Sequence, residues 1–183
     1  MSGRQPLCDD VDDADHALLD ELTSLRRVQA LSFHPVKLNI KHSNFIQSNV
    51  PSTSDFLHSM MCELKNQQVK TTRYLERIIP VCMTTTCKRD DLMSAFSQIL
   101  QPYITSAGQC RQYSLVVKIT NNDVLGKDLI SEMIADIMIG WYQTECADVV
   151  ILVNVIRGLC CISVAINYFQ LAKYNVARIC ANS

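Results

Sequence analysis

Two long apolar runs near the C-terminus constrain this chain more than any other feature. Asp148 to Ile156 reads DVVILVNVI and Leu159 to Ile166 reads LCCISVAI, with only Arg157-Gly158 between them. Runs of this length, rich in Val and Ile and unbroken by polar alternation, suit strands covered on both faces. Arg157-Gly158 marks the turn. Covered strands need layers above and below them, so the chain must supply amphipathic helices elsewhere.

It does so in an alternating order. Residues 1–12 read as a polar tail, and Asp12 to Val28 as a helix with Leu18, Leu19, Leu22 and Leu25 at helical spacing. Its Asp cluster suits the positive end of the helix dipole. Pro35 introduces Val36-Lys37-Leu38-Asn39-Ile40-Lys41, whose apolar/polar alternation predicts a half-buried strand. Ser54 is the expected N-cap of a helix carrying Phe56, Leu57, Met60, Met61 and Leu64 on one face. Thr72 to Val81 reads as a strand ending at Pro80, and Met83 to Arg89 as a polar connector. A helix begins at Asp90 or Asp91, bears Leu92, Phe96, Ile99 and Leu100, and is expected to stop near Pro102. Gln112 to Thr120 alternates as a strand, with Tyr113, Leu115, Val117 and Ile119 on one face, and Asn121-Asn122-Asp123 is turn chemistry. Gly126 to Ile139 is the clearest amphipathic helix, with Gly140 as its expected C-cap glycine. The tail from Asn167 is weakly helical. The order predicts a layered α+β or α/β architecture.

Composition narrows the class. With 48% hydrophobic and 19% charged residues in 183, the chain is of globular type. Val149 to Ile166 is the longest candidate membrane span, and Asn154, Arg157 and Gly158 interrupt it. The first ten residues, MSGRQPLCDD, hold no apolar stretch of a secretory signal. A soluble, intracellular protein is expected, in the nucleus, nucleolus or cytoplasm. The nine cysteines form no CxxC pair and no zinc-finger spacing, so neither a disulfide framework nor a metal site is expected. The net charge of −1 is unevenly spread. Seven of the 18 acids lie between Asp9 and Glu21, and from Leu22 onward 16 basic residues face 11 acids, an excess of +5. That permits a modest basic surface.

No enzyme motif accompanies this pattern. All four histidines fall in the first third, there is no HExxH or GxSxG, and five scattered glycines cannot build a phosphate-cradling loop. Polar and basic residues at loops remain. Lys88 and Arg89 stand at a helix start, where backbone amides and cations together suit a phosphate. Lys118, Asn121 and Asn122 end a strand and enter a turn, and Arg157 lies between the two apolar runs. A solvated surface accounts for each of these as well.

Two segments carry a family resemblance. Arg73-Tyr74-Leu75-Glu76-Arg77-Ile78-Ile79-Pro80-Val81 with Thr86-Cys87-Lys88 resembles the strand and loop that open the THUMP region of the THUMP domain-containing protein 1 family. Val153-Asn154-Val155-Ile156-Arg157-Gly158-Leu159-Cys160-Cys161-Ile162-Ser163-Val164, with Tyr168 and Lys173-Tyr174-Asn175, resembles that family's closing strand pair. Val117-Lys118 and Asn121-Asn122 resemble its central strand and turn. The likeness extends over roughly residues 70–178.

The resemblance implies a partial ferredoxin-like unit over 29–82 followed by a THUMP domain over 83–178, after an acidic tail and helix over 1–28. It implies a non-catalytic, tRNA-binding adaptor. Such an adaptor assists an RNA cytidine acetyltransferase in forming N4-acetylcytidine in serine and leucine tRNAs. It needs no cofactor, no metal and no membrane. Thr86, Lys88, Arg89, Lys118, Asn121, Asn122 and Arg157 are the expected RNA-binding residues. The alternative is a protein-interaction module of the same complex that no longer grips RNA. The chain departs from the family at Thr120, where the family has a basic residue, and at Asn154, where it has an acid. Tyr142-Gln143-Thr144 and Cys146-Ala147 replace its polar stretch before the late strand. A single helix precedes Val36, where the family has an earlier strand and helix, so a truncated product or an incomplete gene model is expected.

Overall fold

The computed structural model describes residues 31–37, 43–68, 72, 74–106 and 111–180. The helix expected over 12–28 lies outside them. The chain divides into two compact units, Met1–Val50 and Pro51–Ser183.

In the first unit, β1 (Phe33–Val36) pairs antiparallel with β2 (Phe45–Ser48), Phe33 opposite Ser48 and Val36 opposite Phe45. The Ser32 N–H donates to Asn49 Oδ1 at 2.8 Å beside the ribbon. The strand expected over Val36–Lys41 is thus shifted: it ends at Val36 and takes in Pro35, while residues 38–41 lie outside the described set. A two-stranded ribbon has only edge strands, where proline is tolerated.

The second unit is a five-stranded sheet in the order β3-β7-β6-β4-β5. Its strands are β3 (Met83–Thr86), β4 (Gln112–Thr120), β5 (Tyr142–Gln143), β6 (Val149–Ile156) and β7 (Leu159–Ile166). β6 runs parallel to β4 and antiparallel to β7, β3 is antiparallel to β7, and β5 is parallel to β4. Helices α1 (Thr53–Gln67), α2 (Arg89–Ser106), α3 (Lys127–Ile137) and α4 (Val176–Ile179) complete the unit.

Two cores make the sheet a middle layer. On one face Ile151, Val153 and Val155 of β6 and Cys160, Ile162 and Val164 of β7 pack with Leu92, Phe96 and Leu100 of α2 and Ile130, Met133 and Ile134 of α3. On the other, Val150, Leu152 and Ala165 pack with Leu57 and Met61 of α1 and with Tyr168, Leu171, Tyr174, Val176 and Ile179. This is why β6 and β7 are apolar at successive positions while β4 alternates. Each fully buried large apolar side chain contributes roughly 1.5–3 kcal/mol.

Several local expectations need correction. Ser52, not Ser54, caps α1, accepting from the Asp55 N–H. Ser54 is buried and donates to the Val164 carbonyl at 2.5 Å. Thr72–Val81 is not a strand: it makes one bridge, Arg77 with Asn175, and isolated backbone bonds such as Ile78 N–H to the Tyr174 carbonyl at 3.2 Å. Its alternation reflects a segment laid along the C-terminal turns rather than a ladder. The connector is instead partly strand, because Met83–Thr86 edges the sheet against Leu159–Ile162. α2 runs through Pro102 to Ser106, so the proline removes one N–H without ending the helix. α3 ends at Ile137, with Met138 at the C-cap. Gly140, at φ +80°, lies beyond the cap, in the turn into β5. No helix among the described residues is long and apolar enough to cross a membrane.

Candidate nucleic-acid interface

The register brings one set of loops together. Thr86 pairs with Leu159, Leu159 with Ile156, and Ile156 with Thr120, so the C-terminal ends of β3, β6 and β4 and the start of β7 share one end of the sheet. The loops leaving that end are Cys87-Lys88, Asn121 to Gly126, and Arg157-Gly158. Ligands in open α/β sheets bind outside the carboxyl ends of parallel strands, and the parallel pair β4 and β6 ends here.

The three loops are tied to one another. The Arg157 carbonyl accepts from Asn122 Nδ2 at 2.6 Å and from the Cys87 thiol at 3.6 Å, while the Arg157 N–H donates to the Thr120 carbonyl at 2.9 Å. Asn122 Nδ2 also reaches Cys87 Sγ at 3.6 Å. Burial pushes the Cys87 thiol up from its ordinary value of 9.0, which keeps it protonated as a donor. Asn122 Oδ1 then accepts from the N–H groups of Val124 at 3.0 Å and Leu125 at 2.8 Å, shaping the approach to α3. Arg157 has φ +55° and Asn121 φ +53°, conformations that an Arg side chain adopts at a cost. The backbone of Arg157 is thus held from several sides while its side chain is exposed.

The expected residues fall into two groups. Thr86, Lys88, Arg89, Asn121, Asn122 and Arg157 lie at this end of the sheet, and all but Asn122 are exposed. Thr86 donates to the Asp91 carboxylate and accepts from the Lys88 N–H at 3.3 Å, so it organises the start of α2 rather than projecting freely. Lys118 stands apart: it is exposed on the α1 side of β4, level with Asn154, Cys161 and Thr84. Lys88 and Arg89 begin the helix that packs on the opposite face. Lys88, Arg89 and Arg157 therefore lie along the rim at this end of the sheet, while Lys118 stands back from it on the α1 side. Asp90 and Asp91 occupy the first turn of α2, which takes up the dipole there and leaves side chains, not the helix end, as the anion-binding groups.

Sequence reasoning missed Cys87 and Asp91 as organisers of these loops. A threonine five residues before an aspartate at a helix start was the available signal. The thiol contact had none, because it joins positions 70 residues apart. Among the described residues no group of three His, Cys, Asp or Glu side chains is placed to hold a metal ion.

No family model matches the chain. It is 25% identical over 172 residues to an uncharacterized protein of Schizosaccharomyces pombe, covering 92% of this chain and 60% of that protein. It is 21% identical over 176 residues to THUMP domain-containing protein 1 of Homo sapiens, covering 92% of this chain and 50% of the relative. The Bos taurus protein of the same name is 20% identical over 183 residues, covering 97% and 51%. Among solved structures, TrmN from Thermus thermophilus aligns over 81% of this chain and 41% of its own, with TM-score 0.45 and 10% identity. The chain spans between half and three-fifths of these curated relatives. The resemblance read from two segments thus extends over nearly the whole chain.

Proposed function

We propose that this relative of THUMP domain-containing protein 1 binds tRNA through the loop-bearing end of its sheet and acts as a non-catalytic adaptor. In this reading residues 83–178 are the THUMP unit, 29–82 a partial ferredoxin-like unit, and 1–28 an acidic extension. Its enzyme partner is an RNA cytidine acetyltransferase that forms N4-acetylcytidine, with serine and leucine tRNAs as substrates.

The observation that carries the reading is the fixed Arg157 backbone beneath an exposed guanidinium, at the same end of the sheet as Lys88 on the neighbouring loop and Arg89 at the start of α2. A preorganised cation spends little entropy on meeting a phosphate, and phosphate contacts position a protein on RNA without reading bases. The interleaved Asp90, Asp91 and Asp123 keep the rim from being strongly basic, so affinity rests on a few contacts.

A gel-shift assay with serine tRNA at low and moderate salt tests this. Binding should weaken with salt by a slope of roughly 0.7–0.9 per phosphate contacted. Absence of binding at low salt removes the reading. The second reading, a protein-interaction module without RNA contact, is favoured by Thr120, an uncharged residue at the end of β4. It predicts nuclease-resistant capture of the acetyltransferase without tRNA binding by the isolated chain.

A further inference from the structure

β4 is nine residues long, but only one of its two edges is fully used. Towards β6 it pairs from Tyr113 to Thr120. On its other side β5 pairs with Gln112 and Tyr113 alone, and the Thr144 N–H adds one bond to the Tyr113 carbonyl at 2.8 Å. Backbone groups of successive strand residues point to alternate sides. The Tyr113 carbonyl serves the β5 side, whereas the Thr120 carbonyl takes the Arg157 N–H on the β6 side. The same alternation sends the N–H and C=O groups of Leu115, Val117 and Ile119 out through the open side. Among the described residues none of these groups has a hydrogen-bond partner. Such a row is a template for another strand.

We propose that this open edge of β4 docks an extended segment of a partner protein, which adds to the sheet in line with β5 and carries a carboxylate beside Lys118 and an apolar side chain beside Val116. The backbone row calls for alternating donors and acceptors at strand spacing, which a polypeptide supplies. Val116 is 38% exposed, and Lys118 is exposed on the same face two residues on, with no ion pair among the described residues. A neighbouring strand places its own side chains alongside these two, and an opposite charge beside Lys118 is favourable there. A second copy of the chain, paired edge to edge about Val117, instead brings two Lys118 side chains onto one face, which disfavours self-pairing.

The test uses the full chain and a blocked seven-residue peptide in which Val and Glu stand two residues apart on one face, with Thr at the intervening positions. Amide hydrogen exchange should slow at Leu115, Val117 and Ile119 when the peptide is added. A peptide with Lys in place of Glu should bind about tenfold more weakly. Val117→Pro removes an N–H that is unpaired in the free chain, and proline is tolerated on edge strands. This variant should keep the β4–β6 protection and lose the peptide effect. Should Val117→Pro not fold, Lys118→Glu, an exposed change, should weaken docking of the Glu peptide about tenfold and favour the Lys peptide instead. Protection elsewhere, equal binding of the Lys peptide, or protection of the same amides by self-association at rising concentration overturns the proposal. Protection of those amides by serine tRNA instead of peptide also overturns it. The peptide arm contains no RNA, so its failure leaves the tRNA reading standing, and the converse holds.

Discussion

Asn122 Nδ2 donates to the carbonyl oxygen of Arg157 over 2.6 Å, joining the loop after β4 to the turn between β6 and β7. The same Asn122 side chain accepts through Oδ1 from Val124 and Leu125. One amide therefore sets both the path into α3 and the position of the Arg157 backbone.

Asn122→Leu should remove these bonds together. Loss of about 1–3 kcal/mol is expected from an unsatisfied carbonyl and a lost turn cap, read as a lower midpoint in urea. Asn122→Asp keeps the Oδ1 acceptor and loses the Nδ2 donor, and should fall between Leu and the parent. Equal stability of all three would show that the tie carries no weight.

Arg157 separates backbone strain from side-chain function. At φ +55° a glycine meets no Cβ penalty. Arg157→Gly should leave stability unchanged or raise it by up to about 1 kcal/mol, while weakening tRNA binding. Arg157→Ala should weaken binding equally with no gain in stability. Thermal unfolding and gel shifts on the same samples check both halves.

Single alanines at Lys88 and Arg89 are expected to weaken binding uniformly across tRNA sequences. Each should lower the salt slope by about 1 if it contacts one phosphate. Lys118→Ala should have a smaller effect than Lys88→Ala, because Lys118 stands back from the rim on the α1 side. Equal loss at all positions would place RNA across that face as well.

Alkaline pH should destabilise the fold in a defined window. Burial pushes the Cys160 thiol from 9.0 to about 12 and the Tyr174 phenol from 10.0 to about 12. Both groups are neutral in the fold and ionise more readily when the chain unfolds. Their contribution is complete below pH 9 and is lost as pH rises towards 12. Cys160→Val should flatten the early part of that decline, and Tyr174→Phe the later part. Among the described cysteines of the native chain, iodoacetamide should modify the exposed Cys82 and Cys146 first and spare the buried Cys160 and Cys161 until denaturant is added, which peptide mass mapping reports.

Much of the architecture was legible because its signals are periodic and local. The unbroken apolarity of Val149–Ile156 and Leu159–Ile166 required a layer on each side, and Leu57 with Met61 and Phe96 with Ile134 supply those layers. The alternation in Gln112–Thr120 announced a strand that β6 pairs from Tyr113 to Thr120. Met83–Thr86 was not legible, since four residues carry too little pattern and their partner Leu159–Ile162 lies over 70 residues away. Thr72–Val81 misled for the opposite reason: alternation records which side chains are covered, not whether the backbone finds a ladder.

The sequence by itself determined the layered order of helices and strands, the central pair of strands, and the residue types available at the loops. Periodicity and composition are properties of neighbours along the chain, so they survive without a fold. Only the tertiary structure decided that Cys87, Asn122 and Arg157 meet, that Lys118 stands apart from Lys88 and Arg89, and that among the described residues one edge of β4 is left unpaired beyond Tyr113. Those relations depend on strand order and register, which bring together residues that no local pattern connects.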